Sequence, residues 1–391
     1  MNHAPPLSTM TPPANAADAK PARRLRLAVV LFNLGGPDQP SSIKPFLLNL
    51  FRDPAILRVP FFIRPLLARI IATARVKPAT ENYAILGGRS PLLPLTEEQA
   101  RLLEADLADD FDAHCVIAMR YWHPFATETV KAVAALKPDR IVLLPLYPHF
   151  STTTSGSSLT DWRQAAASAG LAVETTTLCC YFEDRNYLEA TAAIVRQAIV
   201  SARSQIGPEA PLRILFSAHG LPQVIVDRGD PYQHQIEKTA AAILRVLAED
   251  RQRDPAEDDT VVCYQSRATP QKWLDPSIER EIERAAHDKV AVLVVPIAFV
   301  SDHSETLVEL DVEYREVAEK MGVPAYFRAP AQNSDARFIA ALAAMTRTAV
   351  RRGPGLCSFK GNGQCPRQFS DCPHRLAGRF ETSPVEGVVV A

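Results

Sequence analysis

Leu215-Phe216-Ser217-Ala218-His219-Gly220-Leu221-Pro222 decides the fold. Its apolar run continues back to Arg213 and reads as a buried strand, and Gly-Leu-Pro then forces a sharp turn that leaves His219 at the strand's carboxyl end. An earlier stretch has the same form: Arg26–Asn33 is an apolar strand that breaks at Leu34-Gly35-Gly36-Pro37. Between and after these come further short β-branched runs at 115–120, 140–147 and 171–178, then 260–265, 290–299 and 324–328. Longer Ala/Leu/Glu/Arg segments separate them, including a helix expected over 187–204. Continuous apolar strands alternating with helices imply parallel sheets covered on both faces. The expectation is an α/β protein of two Rossmann-like, doubly wound lobes, each with a parallel four-stranded sheet. Residues 25–204 form the first lobe and 205–350 the second, with the Gly- and Pro-containing linker 205–211 at the boundary. In such folds a ligand sits beyond the carboxyl ends of the strands.

Composition limits the function classes. The 391 residues carry 43 Lys and Arg against 44 Asp and Glu, so the chain lacks the basic excess of a nucleic-acid binder. The longest apolar run, 290–300, is half the ~20 residues needed to cross a bilayer. Seven cysteines, an odd number in a long chain, do not suit a secreted disulfide scaffold. Residues 1–24 are Ala- and Pro-rich, without the apolar core of a signal peptide, and are expected to be disordered. A cytoplasmic protein is expected, with association to a membrane surface left open. Residues 351–391 form an irregular tail with three of the cysteines, Cys357, Cys365 and Cys372.

The chemistry should lie at the strand ends. His219 is one candidate; a lone histidine is more often structural, but the turn presents this one at the sheet rim. The other is Ser301-Asp302-His303-Ser304-Glu305, which follows the 290–299 strand and opens a helix. Asp302 with Glu305 three residues on fits a capping box. Glu305, Glu309 and Glu313 then recur every four residues. That stripe is either a solvated face or, beside a histidine, a site that handles a divalent cation or moves protons. Tyr121, Tyr147, Tyr264 and Trp273 follow strands and could line a pocket, while Arg89, Arg120 and Arg267 could hold ligand carboxylates. Val59-Pro60-Phe61-Phe62-Ile63-Arg64-Pro65-Leu66-Leu67 is too apolar for an ordinary loop. It is a core helix, a lip over a flat apolar ligand, or an edge that touches a membrane.

Taken together, these blocks resemble the ferrochelatase family from about Leu27 to Thr348. The motifs are Asn33-Leu34-Gly35-Gly36-Pro37, Met119-Arg120-Tyr121-Trp122-His123-Pro124, Leu146-Tyr147-Pro148, Ser155-Gly156-Ser157-Ser158, Phe216–Pro222, Arg228-Gly229-Asp230-Pro231-Tyr232, Tyr264-Gln265-Ser266-Arg267 and Phe299–Thr306. The resemblance implies an enzyme that inserts Fe2+ into protoporphyrin IX to form haem, with release of two protons. The alternatives are a porphyrin or haem carrier without activity, and a chelatase for another metal or for a ring such as coproporphyrin III. It further implies that His219 and Glu305 handle the iron, that Glu309 and Asp302 belong to an acidic path, and that Leu34, Arg120 and Tyr121 serve the porphyrin pocket, to which Tyr147, Trp273 and Ser266 are expected to contribute from their places after strands. A lip at 60–71 would close over the ring. Ala84 and Ile85 stand where some animal members carry basic residues, so Arg89, or Ser266 with Arg267, is expected to take the propionates. Porphyrin and ferrous iron are the implied partners, with a peripheral membrane contact admitted by the lip, and the chain would act as a monomer or homodimer.

For the tail, free thiols or a zinc site completed by His374 are the ordinary readings. The family resemblance adds a 2Fe–2S cluster on Cys357, Cys365 and Cys372. Thr152 occupies the internal position that supplies the animal ligand, so Cys179 or Cys180 is the expected fourth donor.

Overall fold

The computed structural model describes residues 23–249, 259–267 and 271–376. The expected disorder of 1–24 therefore lies almost wholly outside the described residues, as does the tail beyond 376. All eight sequence-predicted strands form: β1 (Arg26–Asn33), β2 (Asp112–Met119), β3 (Arg140–Pro145), β4 (Thr175–Leu178), β5 (Leu212–His219), β6 (Asp259–Gln265), β7 (Ala291–Pro296) and β8 (Tyr326–Arg328). A ninth, β9 (Gly355–Cys357), comes from the segment expected to be irregular. All neighbouring strands run parallel, in the orders β2-β1-β3-β4-β9 and β6-β5-β7-β8. The first sheet is thus five-stranded rather than four-stranded. Gly355, at positive φ, lets the chain turn in beside Thr176, and Thr176 binds the carbonyl of Gly353 through its hydroxyl at 2.6 Å.

The central strands are nearly continuous in apolar residues because helices cover both faces; Leu27–Phe32 and Ala291–Val295 are buried throughout. The expected long helix runs Arg185–Ile206, started by Asp184, whose carboxylate accepts the N–H of Tyr187. One core joins the lobes: Leu27, Leu144, Val195, Phe216, Leu293 and Leu342 belong to the same buried cluster. The helix Ala336–Arg352, assigned above to the second lobe, packs on Leu92–Leu107 and Arg185–Ile206 of the first. Arg347 fixes it there through Asp106 and Asp110 at 2.9 and 2.6 Å. This return crossing is what delivers β9 to the first sheet.

Each sheet reverses its strand order between its first and third strands, which opens a crevice at their carboxyl ends. Asn33, Leu34 and Tyr147 lie at that edge in the first lobe, and His219 with residues 297–305 in the second. A long helix, Arg64–Ile85, overhangs the cleft from the first lobe. Its leading edge is apolar and open to solvent, with Phe61 79%, Phe62 69% and Leu66 65% exposed. Of the three readings open for this stretch, the buried core helix is excluded.

Candidate active site

Parallel pairing of β5 with β6 and β7 carries His219 to the edge of the second sheet. Gly220 follows because nothing larger fits: a Cβ there would meet the carbonyl oxygen of Gln265 at 2.7 Å and Trp273 at 3.3 Å. Trp273 is buried under this turn, so it supports His219 from below instead of lining open space. Across the switch point, the chain leaving β7 turns through residues 297–304 into a helix over Glu305–Glu313. That helix is wide: the N–H of Tyr314 reaches the carbonyl of Glu309, five residues back, so this is a π-helical turn and not the α-helix expected.

The expected capping box does not form. Asp302 is drawn away by Arg328 of β8 at 2.9 Å and by the amide of Asn333 at 2.7 Å, while Asp311 takes the other side of the guanidinium. A buried guanidinium needs carboxylate partners, and Asp302 is one of them. Its carboxylate is therefore structural and does not join the acidic path assigned to it. Glu305, released from capping, turns to His219: Oε2 lies 2.9 Å from Nδ1. His303, which the sequence reading passed over, stands behind with Nε2 at 3.8 Å from the same oxygen. Glu309 accepts the hydroxyl of Ser266 and the amide of Gln265 at 2.6 and 3.2 Å. Ser266 holds φ +66, a left-handed conformation costing about 1–2 kcal/mol for a residue with a Cβ, and its bond to Glu309 is what that backbone achieves.

The electrostatics follow from these contacts. Burial opposes charge on His219, but the Glu305 carboxylate, through attraction and the hydrogen bond, with Glu309 beyond it, raises the imidazole to about 9. Burial likewise pushes Glu305 up, yet the two histidines outweigh it and hold that carboxyl well below the usual range. Glu309 goes the other way: burial first, then the charge on Glu305, raise it to about 7. Two carboxylates on one turn are thus driven apart, one firmly ionised and one able to exchange a proton near neutrality.

Across the cleft the sequence-predicted residues meet a different arrangement. Arg120 was expected to face a ligand carboxylate. Its guanidinium is instead bound to the buried Asp53 at 3.0 Å and to Ser157 at 2.7 Å, because that buried carboxylate needs the charge. Asp53 also accepts the hydroxyl of Tyr121 at 2.8 Å, which turns this ring's polar end inward. Leu34 packs beside Tyr121 and Trp122, and Tyr147 lies near Arg120 and Ser158. Arg267 pairs with Asp275. Tyr83 was missed: it belongs to the overhanging helix, is buried, and reaches Ser304 and the field of Glu305, with burial pushing its hydroxyl up to about 12. Asn82 beside it donates to Glu313 at 2.9 Å, so the overhanging helix touches the end of the acidic turn. No short motif marks these two; only their place before Gly87-Gly88 could have suggested them.

A sequence profile of the ferrochelatase family matches residues 26–350. The chain belongs to the ferrochelatase family. Ferrochelatases of Caulobacter vibrioides and Phenylobacterium zucineum are 50% and 51% identical over 353 and 357 residues. Each alignment covers 90% of this chain, and 98% and 99% of those proteins. Among solved structures, SirB from Bacillus subtilis with Fe3+ aligns over 83% of this chain and 96% of its own, at 12% identity and a TM-score of 0.47. The protein is a metal chelatase of haem biosynthesis, a lyase that inserts ferrous iron into protoporphyrin with loss of two protons. The carrier reading offered by the sequence is set aside. No described helix is long and apolar enough to cross a membrane.

The five cysteines singled out in the sequence come together. Cys179 and Cys180 end the run after β4, with sulfurs 3.0 Å apart, and the carbonyl of Cys357 accepts the N–H of Cys179 at 2.8 Å. The thiol of Cys180 feels those of Cys357, Cys365 and Cys372. Cys372, hydrogen-bonded by Cys365, is lowered to about 7. All five are buried and none is in a disulfide. Among the described residues, no three His, Cys, Asp or Glu side chains stand arranged to hold a metal ion.

Proposed function

We propose that metallation of the porphyrin takes place at the His219–Glu305 pair, with Glu309 as the group that passes protons onward. The observation that carries this reading is the 2.9 Å contact between an imidazole at the end of β5 and a carboxylate beyond β7, on opposite sides of the second lobe's switch point. Metallation requires two pyrrole protons to leave and a cation to reach the ring nitrogens. At neutral pH the pair rests as imidazolium and carboxylate, so His219 cannot take a proton until it has given one up. A flat apolar ring laid over the pair excludes water, which disfavours separated charges and favours moving the proton from Nδ1 to Glu305. The neutral imidazole is then a base, and Glu309, near neutrality in its own titration, receives what the pair sheds. Fe2+ is attracted to the same carboxylates once they are ionised. Leu34 and Tyr147 of the first lobe and Ser266 of the second would border the ring, with Tyr83 at the rim. Arg120, Tyr121 and Trp273 support the walls from behind.

The test is anaerobic haem formation from protoporphyrin IX and ferrous iron, followed by absorbance. His219→Ala should abolish turnover and keep porphyrin binding; near-normal turnover would remove His219 from the mechanism.

The tail's donor set suits a 2Fe–2S cluster in its chemistry: buried sulfurs, one of them ionisable near neutrality, with a side-chain N–H from Gln235 pointed at Cys365. Cys357, Cys365 and Cys372 with Cys180 or Cys179 would hold it, both of these buried thiols lying within electrostatic reach of all three tail thiols. When bound, the cluster supplies a redox-active link between the tail and the body of the chain. Visible absorption with iron and acid-labile sulfide in fresh, unreduced protein is expected; a colourless preparation with a full thiol count overturns it. The apolar edge at Phe61, Phe62 and Leu66 is proposed to rest on a bilayer surface, because its side chains are contiguous and largely exposed, with Phe61 and Phe62 meeting edge to face.

A further inference from the structure

The helix Tyr232–Glu249 begins where both lobes, the cysteine-bearing segment and the cleft histidine meet. Asp230, fully buried, fixes its start. One carboxylate oxygen accepts the N–H of Tyr232 at 3.0 Å. The other accepts the N–H and hydroxyl of Thr152, both at 2.8 Å, and the hydroxyl of Ser151 at 3.0 Å, all in the loop after β3 of the first lobe. The hydroxyl of Tyr232 donates to the carbonyl of His219 at 3.0 Å. The ring of Tyr232 is held edge-on by His149, a buried histidine whose Nε2 meets Thr239 of the same helix.

Three residues on, and so on the same face of the helix, stands Gln235. It too is fully buried, and both ends of its amide are engaged: the oxygen accepts the N–H of Phe150 at 2.7 Å, and the nitrogen donates to the sulfur of Cys365 at 3.2 Å. The chain beyond Cys365 lies on the turn before the helix. Asp371 donates its N–H to Gly229 at 3.1 Å and Ser370 its hydroxyl to Arg228 at 3.1 Å. The approach is close enough that a Cβ on Gly229 would meet the hydroxyl of Ser370 at 2.3 Å. A helix needs none of these buried polar contacts to form, and each costs stability when its partner is lost. Their common effect is to set the rotation and height of one helical turn, with His219 on one contact and a tail cysteine on the next.

We infer that Tyr232 and Gln235 are positioning residues through which the cysteine-rich segment sets the backbone of His219, so that order among the cysteines is felt as the orientation of the imidazole toward Glu305. This rests on the role proposed for His219 and deepens it. It does not depend on what the cysteines bind.

The experiment is a double-mutant cycle in the full chain, using Tyr232→Phe, Gln235→Leu and the pair. Steady-state kinetics give kcat and the KM for porphyrin, and the imidazole 15N shifts of His219 at one pH give its local setting. Each single variant should lower kcat about three- to tenfold, with KM unchanged, and move the His219 signals in the same direction. The double variant should be no slower than the slower single, as for two residues acting through one path. Multiplying losses, or wild-type kcat and His219 signals in both singles, overturns the inference. If Gln235→Leu does not fold, Ser370→Ala replaces it in the cycle and is judged by the same outcomes. Should His219→Ala retain turnover, the reading of the site itself fails. An inactive His219→Ala with a multiplicative cycle removes only the coupling.

Discussion

Glu305→Gln isolates the interaction on which the site's electrostatics turn. Amide for carboxylate keeps size and hydrogen bonding but removes the charge 2.9 Å from the imidazole of His219. Burial, the largest influence on His219, then acts against only the more distant Glu309, and the midpoint should fall from about 9 to its ordinary 6.5 or below. At ~1.4 kcal/mol per pH unit that fall corresponds to roughly 3.4 kcal/mol in a water-free site. The imidazole is 37% exposed to the cleft, so solvent screening brings the stability at stake to the order of 1–2 kcal/mol. The sign is fixed by linkage. A histidine raised on folding stabilises fully below pH 6.5 and loses that contribution as pH climbs through about 9. Glu305, depressed on folding, contributes above its ordinary 4.5 and loses it on acidification. The pair is one interaction counted once, with its window between those limits. Long-range 1H–15N spectra of histidine-labelled protein measure the midpoint, with His219→Gln assigning the signal, and urea unfolding at pH 7 and pH 10 measures the stability. Wild-type protein should lose stability across that interval more steeply than Glu305→Gln. A midpoint near 9 in the variant would refute the reasoning, since no other carboxylate touches that nitrogen among the described residues.

Three further outcomes follow from the same contacts. Asp53→Asn leaves the half-buried guanidinium of Arg120 with only Asp161, at 3.7 Å, as counter-charge and should cost about 1–3 kcal/mol in urea unfolding. Ser266→Ala removes a donor that lowers Glu309, so the apparent pKa near 7 should rise, read as an alkaline shift in the limb of the pH–kcat profile that Glu309 governs. Phe61→Ser with Phe62→Ser should weaken binding to liposomes about 100-fold or more, as two exposed aromatic side chains lose ~1.5–3 kcal/mol each of apolar burial in the bilayer, while haem formation with detergent-dispersed porphyrin stays at the wild-type rate.

The two-lobe plan was readable because the central strands β1, β3, β5 and β7 leave a clear trace, largely apolar runs that end at or just before Gly or Pro. His219 and Glu305 were readable for the same reason: a strand end in a doubly wound sheet is a place, and the sequence put a histidine and a carboxylate at two of them. What escaped was settled by competition among side chains far apart in the chain. The Asp302 capping box is locally favourable by about 1 kcal/mol. Arg328, buried twenty-six residues later, needs that carboxylate more, and winning it frees Glu305 for the histidine. Arg120 was assigned to a ligand by its motif, whereas the demand of Asp53, sixty-seven residues earlier, decides where it points.

The ninth strand shows the other kind of omission. Gly355-Leu356-Cys357 has three residues and no periodicity, so nothing local distinguishes it from a loop. It becomes a strand because the Ala336–Arg352 helix crosses to the first lobe and releases the chain beside the open edge of β4. That edge would otherwise expose unpaired backbone groups. Covering it places Cys357 opposite Leu178 and next to Cys179 and Cys180, and the chain then runs to the helix Tyr232–Glu249 of the second lobe. A segment that closes one sheet and then contacts a helix of the other ties the two lobes together. On the coupling inferred above, the tail then bears on the chemistry through Gln235 and Tyr232, which reach the backbone of His219 beside its 2.9 Å contact with Glu305.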